Sequence, residues 1–156
     1  MLVKEHIRKN IITISQDKTF REALVSMVEN KTNGMIVIDD DGKPVGTIDS
    51  FTLIQNMTPS YLQEHPELAQ YEPEGVFYKA LSRSLNKKVA DMMVDLHGVQ
   101  VKEDDPMILA ATLASKYDFR YIPVLDKEEK LVGLVSRTDI KRAMAELIDI
   151  KDSSNK

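Results

Sequence analysis

Residues 34–48 read GMIVIDDDGKPVGTI, and residues 121–135 read YIPVLDKEEKLVGLV. Laid over one another, they set Val37 on Val124, Asp39 on Asp126, Lys43 on Lys130 and Val45-Gly46 on Val132-Gly133. Each stretch is a pair of strands rich in β-branched residues, joined by an acidic turn of hairpin length. The match runs outward without a gap: at an offset of 87 residues, 2–57 fall on 89–144, with Asp17 on Asp104 and Ala23 on Ala110. Identity is low, but the apolar pattern and the turn positions agree throughout. That is a duplicated unit.

Each copy predicts the same order of elements. A short strand (Ile11–Ile14; Val99–Val101) leads through an acidic turn into a helix. Phe20, Leu24 and Met27 share one face of that helix in the first copy; Met107, Ala111 and Ala114 do so in the second. The i, i+4, i+7 spacing marks a buried stripe. Two strands follow, Met35–Ile38 and Val45–Ile48, or Tyr121–Leu125 and Leu131–Val135. The closing helix is clearest at Thr138–Leu147, with Ile140, Met144 and Leu147 expected inward. The fold class is therefore α+β, built of two tandem β-α-β-β-α repeats at 2–57 and 89–147. A sheet that buries one face asks for a partner, so the copies are expected to pack sheet to sheet about a pseudo-two-fold axis, leaving two equivalent clefts. Residues 58–88 lie in neither copy. Pro59, Pro66 and Pro73 punctuate them, and Val76–Leu85 has helical spacing, which suits a helical connector or a docking surface.

Composition narrows the function. The 156 residues carry a net charge of −4 and no basic block, so no nucleic-acid footprint is expected. There is no cysteine, which removes disulfides, thiol catalysis and thiolate metal sites. No stretch approaches the ~18 apolar residues of a membrane span, and the N-terminus lacks a signal-peptide core. A cytoplasmic protein without membrane contact is the expectation. His6, His65 and His97 show no metal spacing, and Asp39-Asp40-Asp41-Gly42 lacks the later oxygen ligands of a calcium loop. Neither a Gly-rich phosphate loop nor a nucleophile with its base is readable, which argues against an enzyme. The methionines read as core filler.

The stretch with chemical content is Gly133-Leu134-Val135-Ser136-Arg137-Thr138-Asp139, where a strand runs into a helix. Free backbone N–H groups and the helix dipole at such a turn suit a phosphate. Ser136 and Thr138 add hydroxyl groups, and the Asp139 carboxylate can accept hydrogen bonds from a vicinal diol such as ribose. The same Ser-x-x-Asp spacing also makes a helix capping box, so a structural role stands beside the ligand role. Arg137 reads equally well as a solvated side chain.

The doubled unit, with Gly-apolar-x-Ser-x-x-Asp after its last strand and an Ile122-Pro123-Val124-Leu125-Asp126 strand before it, resembles a tandem CBS domain pair, or Bateman module. The resemblance covers about three-quarters of the chain. It implies an adenosine-containing regulatory ligand (AMP, ADP, ATP or a related adenosyl compound) with no tightly bound cofactor. It further implies a homodimer and an effector protein, attached or separate. Position by position it assigns Asp139 to the ribose, Ser136 and Thr138 to phosphate, and Leu134 to the base-pocket wall. Arg120, with Tyr121 beside it, falls at a basic phosphate contact. The base would be covered by Ile7, Ile12, Thr32, Asn33 and Gly34, and His6 would line the cleft mouth.

The first copy departs from the pattern. Its equivalent stretch is Gly46-Thr47-Ile48-Asp49-Ser50-Phe51-Thr52, with Thr52 for the ribose aspartate and Asp49 where phosphate would lie. A carboxylate about 4 Å from phosphate costs on the order of 4 kcal/mol at an effective dielectric near 20. One competent site and one altered site are expected. The alternative is an interaction or dimerisation module with vestigial clefts. The tail, Ile148–Lys156, is expected to fray, and no attached effector domain is seen.

Overall fold

The computed structural model describes residues 1–150, which form two compact units. The expected frayed tail lies, from residue 151 on, outside the described residues. One unit comprises Ile12–Asp40 and Gly46–Asp95. Its chain order is β1 (Thr13–Ser15), α1 (Phe20–Glu29), β2 (Gly34–Ile38), β3 (Pro44–Asp49) and α2 (Ser50–Met57), then α3 (Ser60–Glu64), a 3-10 turn (Pro66–Tyr71) and α4 (Gly75–Ser84), and finally α5 (Val89–Met92) and β4 (Val94–Asp95). The sheet order is β1-β2-β3-β4, with β1 parallel to β2 and β4 antiparallel to β3. Residues 58–88 are thus mostly helical. Strand β2 is almost wholly buried, as its continuous apolar run demands.

Helix α1 begins where Thr19 and Glu22 close a capping box. Glu22 takes the Thr19 backbone N–H at 2.9 Å and Thr19 Oγ1 takes the Glu22 N–H at 3.3 Å. The bond from Thr19 holds the Glu22 carboxyl below its ordinary range. Phe20, Ala23 and Met27 are buried, and Leu24 is half-buried.

The other unit comprises Met1–Ile11, Asp41–Val45 and the chain from Leu96. After a 3-10 turn at Val3–Glu5 it contains β5 (Val101–Lys102), α6 (Met107–Tyr117), β6 (Tyr121–Leu125), β7 (Leu131–Ser136) and α7 (Arg137–Leu147). Strand β5 is parallel to β6, and β6 is antiparallel to β7 with a bulge at Val124/Leu125. Its core joins Val3 and Leu96 to Val101, Met107, Phe119, Ile122, Val124, Val135 and Ala143.

The compact units cut across the sequence repeats. The first eleven residues of the chain, ten of them in repeat one, lie in the unit built on the sheet of repeat two, where Met1 O accepts the Met107 N–H at 3.0 Å and Val3 N donates to Asp105 O at 2.9 Å. Lys4 Nζ meets Asp104 Oδ1 at 2.8 Å, which raises the lysine pKa and lowers that of the aspartate. In the other unit, α5 and β4 from the start of repeat two lie beside elements of repeat one. Gly46 pairs with Asp95 and Thr47 with Val94; the counterparts of Gly46 and Thr47 one repeat on are Gly133 and Leu134, and Leu134 pairs with Arg8, the counterpart of Asp95. This crossing explains the glycine of the motif. A Cβ on Gly133 would lie 2.5 Å from Arg8 O and 2.6 Å from Ile7 Cγ1; one on Gly46 would meet Met93 and lie 2.9 Å from Val94 O.

Three sequence expectations need correction. In α7 the inward stripe is Asp139, Ile140 and Ala143, because the cap carboxylate and the small alanine face the unit; Met144 is 58% and Leu147 70% exposed. In α6 the most buried positions are Met107 and Ala110, while Ala111 and Ala114 are only half-buried. The first strand of the second copy is confined to Val101–Lys102, since the residues before it turn through positive φ at His97 and Gly98.

Candidate functional site

At the end of β7 the chain leaves the sheet in extended conformation at Ser136 and enters α7. Ser136 is the N-cap, and it forms a capping box with Asp139. Asp139 Oδ2 accepts the Ser136 backbone N–H at 2.8 Å and the Ser136 hydroxyl at 2.6 Å, while Ser136 Oγ takes the Asp139 N–H at 3.3 Å. Both residues are 5% exposed. The structural half of the sequence reading is therefore realised, and it consumes one carboxylate oxygen. The other, Oδ1, lies 3.3 Å from Arg8 Nη2 and 3.8 Å from Arg142 Nη1.

Seven of the eleven candidate residues gather in this unit. Tyr121 is directly opposite Ser136 in the β6–β7 register, and Leu134 is opposite Pro123 and buried. Ile7 packs where Gly133 has no side chain. Arg120 is exposed just before β6, and its carbonyl accepts the Arg137 N–H at 3.2 Å, which brings it to the first turn of α7. Thr138 is exposed on that turn. The chemistry present is a buried carboxylate at a helix N-terminus with arginines around it, an arrangement able to accept from a diol and to attract an anion. His6 Nε2 meets Glu146 Oε2 at 2.9 Å. Arg137 binds the turn at the surface, to Asp118 O at 2.9 Å, to the Asp118 carboxylate and to Phe119 O at 3.3 Å, so it fixes the turn before Arg120.

The remaining four candidates lie in the other unit. Ile12 O accepts the Ile36 N–H at 3.2 Å, Thr32 Oγ1 donates to Gly34 O at 3.0 Å, and Asn33 O accepts the Ser50 N–H at 3.0 Å. The Asn33–Ser50 bond is the repeat-equivalent of the Arg120–Arg137 bond. At the matching helix start Asp49 is the N-cap, and its Oδ1 accepts the Thr52 N–H at 2.8 Å and hydroxyl at 3.0 Å. Among the described residues no group of three or more acidic, His or Cys side chains is placed to hold a metal, and no helix is long and apolar enough to cross a membrane.

The CBS domain family matches residues 3–58 and 89–146. The chain belongs to that family. Its two copies make it a CBS pair, or Bateman module, of α+β fold. It is 30% identical over 146 residues to the chloroplastic CBS domain-containing protein CBSX1 of Arabidopsis thaliana, covering 90% of this chain and 61% of that one. A CBS domain-containing protein of Dictyostelium discoideum is 28% identical, with 96% and 94% covered. The crystal structure of CBSX2 from Arabidopsis thaliana superposes with a TM-score of 0.70 at 25% identity, covering 95% of this chain and 96% of that one. The CBS domain pair of protein MJ0100, solved with 5′-methylthioadenosine and S-adenosylmethionine, has a TM-score of 0.65 at 23% identity, with 94% and 98% covered. The chain thus spans less than two thirds of CBSX1, and 23% of an L-aspartate semialdehyde sulfurtransferase of Methanocaldococcus jannaschii to which it is 27% identical over 90% of its own length.

Within this CBS pair, Arg8 is the residue that motif reading misses. It lies 131 positions from its partner Asp139 and outside any motif. The available signal is the repeat itself. Arg8 aligns with Asp95, so the copy that keeps the motif aspartate has an arginine on its edge segment, and the copy that lost it has an acid there.

Proposed function

We propose that this CBS pair is a regulatory module that binds an adenosyl ligand at the start of α7, with the ribose diol on Asp139, and passes the binding event to a separate protein. The observation that carries the reading is the buried Asp139 carboxylate on a helix N-terminus, with Arg8 and Arg142 beside it and exposed Thr138 and Arg120 on the same turn. Support by analogy comes from a structure of CBSX2 in complex with AMP and from MJ0100 with its two adenosyl compounds. Leu134 and Ile7 then belong to the wall beside the base. The role is binding, not catalysis. Exposed Ile108, Met144 and Leu147 on α6 and α7 support a homodimer through helical faces.

A second reading has its own observation. Both carboxylate oxygens of Asp139 face partners within the chain, Oδ2 on Ser136 and Oδ1 on Arg8, as a purely structural cap requires. An interaction module with vestigial sites would look the same.

Calorimetric titration with AMP, ADP, ATP and S-adenosylmethionine separates the two. The regulatory reading expects saturation at one ligand per chain, abolished by Asp139→Ala. Absence of heat with every ligand from folded protein favours the interaction module.

A further inference from the structure

Asp139 does not face the ligand position unattended. Its Oδ2 is saturated by two short bonds from Ser136, at 2.8 and 2.6 Å, so only Oδ1 remains for a ligand hydroxyl. Arg8 Nη2 occupies that oxygen at 3.3 Å and also touches Ser136 Oγ at 3.3 Å. These distances are long for a charge-assisted bond, which closes to about 2.7–2.9 Å. The arginine side chain is 42% exposed, whereas that of Asp139 is 7% exposed. The contact is therefore loose on the arginine side and fixed on the aspartate side.

The backbone of Arg8 is not loose. Its N–H donates to Leu134 O at 2.9 Å, and its carbonyl accepts the Leu134 N–H at 3.0 Å. Gly133 lets this segment lie against β7. A guanidinium displaced from Asp139 stays tethered at the edge of the helix N-terminus, where the dipole and the neighbouring arginines already favour an anion.

We propose that Arg8 is the specificity residue of this site: it blocks Asp139 when no ligand is bound, yields Oδ1 to the ribose, and transfers to a phosphate on the same ligand. This rests on the ribose assignment of Asp139 above. A phosphorylated adenosine replaces the contact it breaks with a stronger one. An uncharged adenosyl ligand such as 5′-methylthioadenosine breaks the contact, strands the guanidinium and gains nothing in return. The site therefore selects 5′-phosphorylated ligands.

The test compares AMP with uncharged 5′-methylthioadenosine on the full chain, wild type against Arg8→Gln, by calorimetry. Losing a hydrogen bond to a charged group weakens AMP roughly 10- to 100-fold. Removing a half-exposed competing ion pair tightens 5′-methylthioadenosine roughly two- to fivefold. Arg8→Lys, which keeps the charge, retains a preference for AMP, and circular dichroism melts of both variants establish that they are folded. Opposite shifts for the two ligands support the proposal. Shifts of the same sign, or no shift, overturn it while leaving the ribose assignment intact. Absence of binding by wild type and variants alike overturns the assignment and the proposal together.

Discussion

Ser136 and Asp139 close the start of α7, and Asp49 and Thr52 close the start of α2, with hydroxyl and carboxylate exchanged between the N-cap and the third helical position. Either order satisfies the orphan N–H groups of the first turn. Only the order in repeat two sets the carboxylate one turn into the helix, with a second oxygen directed to Arg8. The cap is thus kept in both copies while the group proposed for ribose is present in one. The repeats also agree in backbone detail. Lys31 and Asp118, which end α1 and α6, both have positive φ, at 51° and 56°, and Gly42 and Glu129 do so in the hairpin turns, at 77° and 61°. Glycine suits the turn in the first copy, but glutamate carries the left-handed conformation in the second, at a cost of about 1–2 kcal/mol. Glu129→Gly is expected to stabilise the protein by about 0.5–1 kcal/mol after the greater freedom of glycine in the unfolded chain is subtracted. An upward shift in the urea midpoint at unchanged slope is the measurement, and a downward shift would show that the Glu129 side chain matters more than its backbone.

At the scale of elements, strands β6 and β7 and helix α1 were legible because apolar period and turn chemistry agreed; α7 was legible as a helix from its Ser136-x-x-Asp139 cap, while its apolar stripe misled, since Met144 and Leu147 are exposed. The short pieces were not. The 3-10 turn at Val3–Glu5, α5 and β4 are three, four and two residues long, too short to show a period, and each is held by partners far away in sequence. Gly133 was read as part of a motif; its physical reason, the chain crossing it at Ile7 and Arg8, is tertiary. Gly133→Ala is therefore expected to destabilise by about 1–3 kcal/mol through overpacking. The loss should be concentrated in the edge segment. Hydrogen exchange of the Arg8 amide, bonded to Leu134 in the native state, should accelerate more than that of the β6–β7 amides. Equal acceleration everywhere would place the glycine requirement elsewhere.

For the molecule as a whole, the duplication and the α+β class were legible from one sequence, because a repeat of this length aligns every apolar position with its twin. Which segment joins which compact unit was not legible, since self-alignment reports likeness and not neighbourhood. The site followed the same division. Asp139, Ser136 and their strand neighbours were found by motif, and Arg8 was found only by geometry. The central claim is that repeat two carries an adenosyl site and repeat one does not. The most direct measurement is amide NMR of the isotope-labelled chain during titration with AMP. Saturable shifts are expected to centre on Arg8, Arg120 and Arg137–Asp139, with Thr47–Thr52 little changed. Shifts centred on Asp49–Thr52, or a spectrum unmoved by the nucleotide, would contradict it.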